Sequence, residues 1–313
     1  MVKKITNLFS VFIVSVIFLC GGISFADEEV TFAHFSDVHI WSFFEGRESI
    51  KPTYPERILL DTIEQINADK KVDFTLITGD VVDSPNDALF LYVTTLFNRL
   101  DKPWYFALGN HDCNWPYWWP KEPLTGILKR VNPNFIENGR YYSFQPQKGF
   151  TFIALDGSYS NFEQEQLDFL NKTLKNNPDD VIIIFLHTPI MPPIDLQTHT
   201  LWQKDELIQI LKKSSQPIAV FAGHFHATKV IQDGNVLHVA TPSLRYAQEF
   251  RIVNVKNKKD KVIFTLDYKK TKLTDSFYQG SRYVGQDSDK NVIITMNKSK
   301  KYVKTNEEIK FSK

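Results

Sequence analysis

The sequence predicts an α/β protein with at least one largely parallel sheet. Short apolar runs alternate along the chain with stretches of helical spacing, a pattern typical of strand–helix repetition. Several apolar runs end directly in Asp, Asn or His, at the position where such sheets bind ligands. The chain has 313 residues, of which 42% are hydrophobic, so it is long enough to bury a large core.

The predicted strands are continuous apolar runs of five or six residues. They occupy residues 31–36, 73–78, 104–108, 181–186 and 218–222. The predicted helices place apolar side chains three and four positions apart, so that one face of each helix is apolar. They occupy residues 56–67, 88–100, 163–174 and 205–211.

The character of the chain changes after Val255. Residues 256–261 form a charged turn, and residues 262–268 and 292–296 have the composition of half-exposed strands. The remainder is rich in Lys, Asn, Ser and Thr and holds no catalytic-looking cluster. We therefore predict one main domain over residues 27–255, followed by a small β-rich extension with a loose tail over residues 256–313.

The N-terminus has the parts of a secretory signal. Lys3 and Lys4 precede an apolar run over residues 8–25, and a small-x-small pattern ends it. We therefore expect residues 1–26 to be cleaved on export to the periplasm or the medium, with no membrane span remaining. Two alternatives stay open, because the run is close to the length of a membrane anchor and Cys20 offers a site for a lipid.

The charge balance and the cysteine count exclude two classes of protein. Loss of Lys3 and Lys4 with the signal leaves 35 basic residues against 36 acidic ones, which changes the net charge from +1 to −1. A nearly neutral protein lacks the basic excess of a general nucleic-acid binder. Only Cys113 then remains, so the mature chain is not a disulfide-stapled scaffold and depends on its apolar core.

Five polar residues share one position relative to the predicted strands. Each directly follows an apolar run: Asp37, Asp80, Asn110, His187 and His224. The C-terminal ends of parallel strands form the edge where α/β sheets bind ligands, so these side chains are expected to converge. Five strands that deliver metal-binding residue types to one edge are the strongest indication of function in the sequence.

These residues belong to an ordered set of motifs. The set consists of Asp-x-His at 37–39, Gly-Asp-x-x-Asp at 79–83, Gly-Asn-His-Asp at 109–112, His187 and Gly-His-x-His at 223–226. Over about residues 31–255 the set resembles the signature of the calcineurin-like metallophosphoesterases, and within them the bacterial cyclic-nucleotide-type phosphodiesterases. The resemblance implies a four-layer α/β/β/α sandwich.

The resemblance also implies two metal ions, held by residues of these motifs. The first ion would be bound by Asp37, His39 and His226. The second would be bound by Asn110, His187 and His224, and Asp80 would bridge the pair. Two such ions, of the Fe, Mn or Zn type, clamp phosphate oxygens and lower the pKa of a bound water towards ~7.

The resemblance gives catalytic roles to two further residues. His111 follows a metal ligand, so its ring is expected to face the substrate and either protonate the leaving group or neutralise a phosphate oxygen. Asp112 is expected to orient the imidazole of His111 or to hold it protonated.

Other polar and aromatic residues have both a structural and a functional interpretation. Asp83 is either a partner of a metal ligand or a helix N-cap. His34 and His238 lie inside apolar runs and are interpreted as structural. His199 lies in a loop, where it either faces solvent or touches substrate. Residues 114–120 hold three Trp and one Tyr between prolines, and form either a substrate wall or a packed surface loop.

We therefore expect an exported phosphodiesterase that cleaves a small-molecule or lipid-type phosphoester by attack of a metal-activated water. A phosphomonoesterase is the alternative. A non-catalytic phosphate-ligand-binding protein on the same scaffold is a third possibility, disfavoured because every position of the motif set is occupied. Export and the nearly neutral charge argue against a stable nucleic-acid partner.

Overall fold

The computed structural model describes residues 28–41, 54–113, 121–132, 134, 139–158, 162–194, 201, 204–273 and 289–298. The predicted signal over residues 1–26, the Trp-rich segment 114–120 and His199 lie outside these residues.

Twelve strands are defined within the described residues. They are β1 (Glu28–Phe35), β2 (Phe74–Ile77), β3 (Trp104–Phe106), β4 (Tyr142–Phe144), β5 (Phe150–Ala154), β6 (Val181–Phe185), β7 (Ile218–Ala222), β8 (Lys229–Asp233), β9 (Val236–Ala240), β10 (Glu249–Asn257), β11 (Lys261–Lys270) and β12 (Val292–Asn297). The five predicted core strands correspond to β1, β2, β3, β6 and β7.

Seven α-helices connect the strands within the described residues. They are α1 (Tyr54–Ala68), α2 (Asp87–Leu96), α3 (Asn110–Cys113), α4 (Lys121–Val131), α5 (Gln164–Asn176), α6 (Lys204–Lys213) and α7 (Leu244–Ala247). The side chain of Asn86 caps α2 by accepting a hydrogen bond from the N–H of Leu89. The helix predicted over residues 88–100 therefore begins one residue earlier, and it ends at Leu96, where a 3-10 turn follows over Phe97–Arg99.

The strands form two six-stranded sheets. The first has the order β12-β11-β10-β1-β2-β3, and the second has the order β4-β5-β6-β7-β9-β8. β1, β2 and β3 are parallel neighbours in the first sheet, and β5, β6, β7 and β9 are parallel neighbours in the second. The predicted α/β class with parallel sheet is confirmed.

Three apolar cores separate four layers. In the central core Phe32 of β1 meets Phe152 and Phe221 of the second sheet, at ring-centroid distances of 5.5 and 5.2 Å. One outer core packs α1, α2 and α4 on the first sheet, and the other packs α5 and α6 on the second sheet. This layer order is the α/β/β/α sandwich that the motif set implied.

The residues after Val255 complete the first sheet. Residue 255 lies inside β10, which pairs with β1 on one side and β11 on the other. Val262, Phe264 and Leu266 of β11 are fully buried in the central core. Among the described residues, no helix has the length and apolar character needed to cross a membrane.

Candidate metal centre

The candidate site lies where the parallel strands of both sheets end. The two backbone segments that follow β1 and β2 stay hydrogen-bonded to each other. The N–H of Asp37 donates to the carbonyl of Gly79 (3.0 Å), and the N–H of His39 donates to the carbonyl of Asp80 (2.9 Å). In the second sheet the N–H of Gly223 donates to the carbonyl of His187 (3.0 Å). These backbone bonds fix the turns that carry the polar side chains.

The first cluster of donor atoms consists of Asp37, His39 and His226. His226 Nε2 lies 3.1 Å from Asp37 Oδ1 and 3.2 Å from His39 Nε2. Asp37 and His39 are buried, whereas the side chain of His226 is 24% exposed. The first cluster therefore opens towards solvent on the side of His226.

The second cluster consists of Asp80, His187 and His224, with Asn110 beside it. His187 Nε2 lies 3.0 Å from Asp80 Oδ2, 3.1 Å from His224 Nδ1 and 3.1 Å from Asn110 Oδ1. Asp80 Oδ2 also lies 3.8 Å from His39 Nε2 of the first cluster. Asp80 therefore lies between the two clusters, within 3.0 Å of a nitrogen of one and 3.8 Å of a nitrogen of the other.

The donor atoms fit metal ions. His39 Nε2 faces His226 Nε2 at 3.2 Å, and His187 Nε2 faces His224 Nδ1 at 3.1 Å. Nitrogens that share one ion at ~2.1 Å lie about 3.0–3.4 Å apart, so both pairs stand at ligand spacing. Imidazole nitrogens combined with carboxylate and amide oxygens suit Fe, Mn and Zn.

Mutual contacts offset the burial of charge in the clusters. Burial opposes ionisation of Asp37, but the charges of His226 and His187 hold the pKa of this carboxyl well below its usual range. Burial would lower the pKa of His187, yet Asp80 and Asp37 raise it to about 9. The pKa of His224 is lowered to about 3, first by burial and then by the charge of His187, which keeps this ring in the neutral form that binds metals.

Five of the seven candidate ligands have a left-handed backbone. Six described residues other than glycine have positive φ, and five of them are ligand candidates: Asp37 (57°), His39 (47°), Asp80 (52°), His224 (70°) and His226 (53°). Such conformations cost of the order of 1–3 kcal/mol each and persist where the surrounding structure imposes them. The strain is confined almost entirely to the residues that the motif set singled out.

Two glycines allow the turns to approach one another. A Cβ on Gly109 would lie 2.2 Å from the Oδ1 and the backbone nitrogen of Asp80, and a Cβ on Gly223 would lie 2.2 Å from Asp37 Oδ2. Both positions therefore exclude any side chain. The motif glycines at 109 and 223 are explained by this close approach.

His111 lies beside both clusters. Its backbone N–H donates to Asp80 Oδ1 (2.8 Å), and its ring meets that of His39 edge-on at a centroid distance of 4.8 Å. Its Nδ1 lies 2.7 Å from the carbonyl oxygen of Asp83. A carbonyl only accepts, so Nδ1 carries the proton and Nε2 is unprotonated in the neutral ring. Nε2 donates a proton only when the ring is an imidazolium. His111 also forms a group of possible metal donors with His39 and Asp80.

Asp112 has different partners from those expected. Its carboxylate is fully buried and accepts hydrogen bonds from the N–H groups of Asp80, Val81, Val82 and Gly109, at 2.8–3.3 Å. It therefore holds the turn that carries Asp80, and the expectation that it orients the ring of His111 is wrong. The two residues are adjacent on the helical turn α3, where neighbouring side chains point in different directions.

The structure adds residues that the sequence analysis missed. Arg245 and Tyr246 of α7 lie next to the first cluster, and the ring of Tyr246 is 5.1 Å from that of His226. Ser243 Oγ donates to the carbonyl of Asp37 (2.7 Å), which joins α7 to the end of β1. The only local signal was a Ser N-cap, and nothing in its spacing from the motifs pointed to the site.

His34 lies beneath the site as a polar link. Its two ring nitrogens lie 2.9 Å from the hydroxyls of Thr78 and Thr241, and its ring meets Phe221 of the second sheet edge-on. Burial first, and then the charge of Arg251, lowers the pKa of His34 to about 3. The neutral ring therefore serves the packing of the two sheets, in agreement with its structural interpretation.

The fold and the donor clusters together define a phosphoester hydrolase that depends on metal ions. A model of the calcineurin-like phosphoesterase family matches residues 30–228, and the chain belongs to this family.

Two relatives agree with this assignment. The chain is 28% identical over 228 residues to a probable glycerophosphodiester phosphodiesterase of Arcobacter nitrofigilis, covering 69% of this chain and 80% of that protein. It is 25% identical over 230 residues to a 3′,5′-cyclic-nucleotide phosphodiesterase of Nostoc sp., covering 69% and 79%.

Among solved structures, a dimetal phosphatase from Danio rerio superposes with a TM-score of 0.60 at 16% identity, covering 76% of this chain and 95% of that one. At that identity the likeness shows the shared fold.

Proposed function

We propose that the protein is a two-metal phosphodiesterase for small organic phosphodiesters. The observation that carries this proposal is the position of Asp80, whose Oδ2 stands between two clusters of nitrogen and oxygen donors. The choice of a diester over a monoester is supported by the names of the two relatives, one for glycerophosphodiesters and one for cyclic nucleotides.

The chain's own residues would divide the work. Bound metals of the Fe, Mn or Zn type would supply Lewis acidity and an activated water. Asp37, His39 and His226 would hold one ion, and the second would be held by Asn110, His187 and His224 with Asp80 shared. His111 would act on the substrate through Nε2, which would meet a phosphate or leaving-group oxygen; the contact of its Nδ1 with the carbonyl oxygen of Asp83 supports this role.

A substrate panel tests this function. Purified protein, stripped of metal and reloaded with Mn²⁺, Zn²⁺ or Fe²⁺, is assayed on glycerophosphodiesters, 3′,5′-cyclic nucleotides, phospholipid headgroup diesters and matching monoesters. We expect kcat/KM for at least one diester to exceed that of its monoester product. Preferential monoester hydrolysis would replace the proposal with a phosphomonoesterase, and metal binding without turnover of any ester would favour a binding protein.

We also propose that the protein is exported and that its mature form begins at Asp27. The support is the basic, apolar and small-x-small order of residues 1–26. N-terminal sequencing of protein from the culture medium and from the periplasmic and membrane fractions tests this. A mature chain that keeps the apolar run over residues 8–25 would indicate an anchor instead.

A further inference from the structure

A guanidinium group lies behind the first donor cluster. Arg245 Nη1 donates to Asp83 Oδ1 (2.8 Å) and to the backbone carbonyl of His39 (3.3 Å). The guanidinium lies over the rings of Trp41 and Tyr246, with its central carbon 4.5 and 4.9 Å from their centroids. The side chain of Arg245 is only 13% exposed. Aromatic faces on a planar cation hold it in one orientation.

The carboxylate of Asp83 is the group that this cation fixes. The same Oδ1 that accepts from Arg245 lies 3.4 Å from His39 Nδ1. No other group among the described residues is hydrogen-bonded to this buried Nδ1, and the Asp83 oxygen stands at the long end of hydrogen-bonding range. Since the side chain of Asp83 is 42% exposed, it is free to rotate into solvent unless a partner keeps it beside the imidazole.

The orientation of His39 depends on this contact. A carboxylate behind Nδ1 places the ring proton there and turns Nε2 towards the cluster, where it faces His226 Nε2 at 3.2 Å. Arg245 also bonds the main chain of His39, so one guanidinium restrains both the backbone and the outer partner of the same ligand.

We propose that Arg245 is a positioning residue for the first donor cluster, acting through Asp83 on His39. The motif set contains no basic residue with this role. The inference rests on the metal binding of the proposed function, but not on the identity of the substrate. It assigns Arg245 to the cluster of Asp37, His39 and His226 and to no other.

The second cluster is held without Arg245. His187 Nδ1 lies 2.6 Å from the backbone carbonyl of Thr78, so its outer partner is main chain and fully buried. None of the contacts described for Arg245 reaches His187 or His224. Loss of Arg245 is therefore expected to weaken the binding of the ion in the first cluster and to leave the binding of the ion in the second cluster unchanged.

Metal titration in two backgrounds separates the sites. The protein is stripped with chelator and titrated with Mn²⁺ by calorimetry, as His224→Ala, which keeps the first cluster, and as His226→Ala, which keeps the second. Adding Arg245→Gln to His224→Ala is expected to raise the Kd of the retained ion about 10–100-fold. Adding it to His226→Ala is expected to leave the Kd unchanged.

A double-mutant cycle tests whether Arg245 acts through Asp83. The cycle is measured in the His224→Ala background, on the Kd of the ion in the first cluster. When Asp83→Asn is already present, Arg245→Gln is expected to raise this Kd by less than about twofold, because the carboxylate that Arg245 fixes is gone. Arg245→Lys keeps the charge but not the planar fork, and is expected to restore the affinity only in part. Arg140→Gln, which removes another arginine–carboxylate pair at Glu163, is the matched control and is expected to leave both Kd values unchanged.

Three results would overturn the inference. They are an unchanged Kd in the His224→Ala background, equal weakening in both backgrounds, and full additivity with Asp83→Asn. Thermal unfolding of each metal-free variant accompanies the titrations, and a loss of affinity that only tracks a fall in Tm would assign Arg245 a packing role. Selective weakening in a protein that cleaves no diester would support the inference and refute the proposed function.

Discussion

The two donor clusters are held in different ways. In the second cluster the outer partner of His187 is the main chain of Thr78, at the fully buried end of β2. In the first cluster the outer partner of His39 is the half-exposed side chain of Asp83, itself held by Arg245. Main-chain support is fixed by the fold, whereas side-chain support is lost by single substitutions. The second ion is therefore expected to bind more tightly than the first.

The largest effect is expected where the two clusters meet. Asp80→Asn keeps the size of the side chain but removes the charge that offsets two cations, so both ions should bind weakly. Loss of several kcal/mol of charge stabilisation corresponds to a decrease in kcat/KM of about 10³-fold or more. Metal analysis of dialysed protein and steady-state kinetics measure both losses.

The matched control for this variant is Asp101→Asn, at an exposed carboxylate whose salt bridge is to Lys70. It is expected to keep both ions and full activity. A wild-type protein that is fully active with one ion per chain would show that the clusters do not act as a pair.

Loss of His111 should separate chemistry from metal binding. His111→Ala removes the ring that we propose acts on the substrate and none of the proposed ligands, so kcat is expected to fall about 10²–10⁴-fold while both ions are retained. A nitrophenyl diester, whose leaving group hardly needs a proton, should lose less activity than an alkyl diester. Equal losses on the two substrates would favour phosphate binding over proton donation, and loss of metal would place His111 among the ligands.

Asp112 supports the turn that carries Asp80, so its replacement tests the scaffold common to both clusters. Asp112→Asn exchanges one acceptor oxygen for an amide that faces backbone N–H donors. We expect the metal-free protein to lose about 1–3 kcal/mol of unfolding free energy, measured by urea denaturation. An unchanged stability would mean that these N–H groups have other partners.

The smallest effect concerns the polar link beneath the clusters. The folded pKa of His34 is about 3, below the value of 6.5 of the unfolded chain, so the unfolded state binds protons first as the pH falls. Stability from this group is complete above pH 6.5 and is lost as the pH falls towards 3. Relative to His34→Gln, the wild type should lose about 1 kcal/mol between pH 6.5 and 5.5, because the unfolded state is already half protonated at pH 6.5.

This comparison is made by denaturant unfolding of metal-free protein at each pH, so that release of metal does not contribute. If the difference in unfolding free energy between the two proteins stays constant across this range, the pKa of His34 is not lowered by folding, and the folded state takes up the proton as readily as the unfolded state.

The sequence predicted where the candidate ligands lie better than it predicted which residues hold them in place. Asp37, Asp80 and His187 follow apolar runs, and the edge of a parallel sheet brings strand ends together whatever the loops do. Asp112 was misassigned because adjacency in sequence suggested contact, whereas a helical turn separates consecutive side chains. Arg245 had no local signal, because long-range contacts bring α7 to the end of β1: the pairing of Ser36 with Ser243 and the hydrogen bond from Ser243 Oγ to the carbonyl of Asp37.

Two limits of the periodicity argument also have physical causes. The strand β5 was not among the predicted strands. It is fully buried, but its apolar run is short, and periodicity alone does not distinguish a short apolar strand from other apolar segments. The helix predicted to residue 100 ends at Leu96 because the chain tightens into a 3-10 turn before β3.

At five candidate ligand positions the left-handed backbone lowers the stability of the fold, while the side chain supplies a donor atom to the site. Glycine or asparagine adopts this conformation with less strain than aspartate or histidine. A substitution such as His224→Gly would therefore relax the metal-free chain while it removes a donor. Selection for stability alone would favour glycine or asparagine in these turns, so Asp and His at these five positions trade backbone strain for the donor atoms they supply.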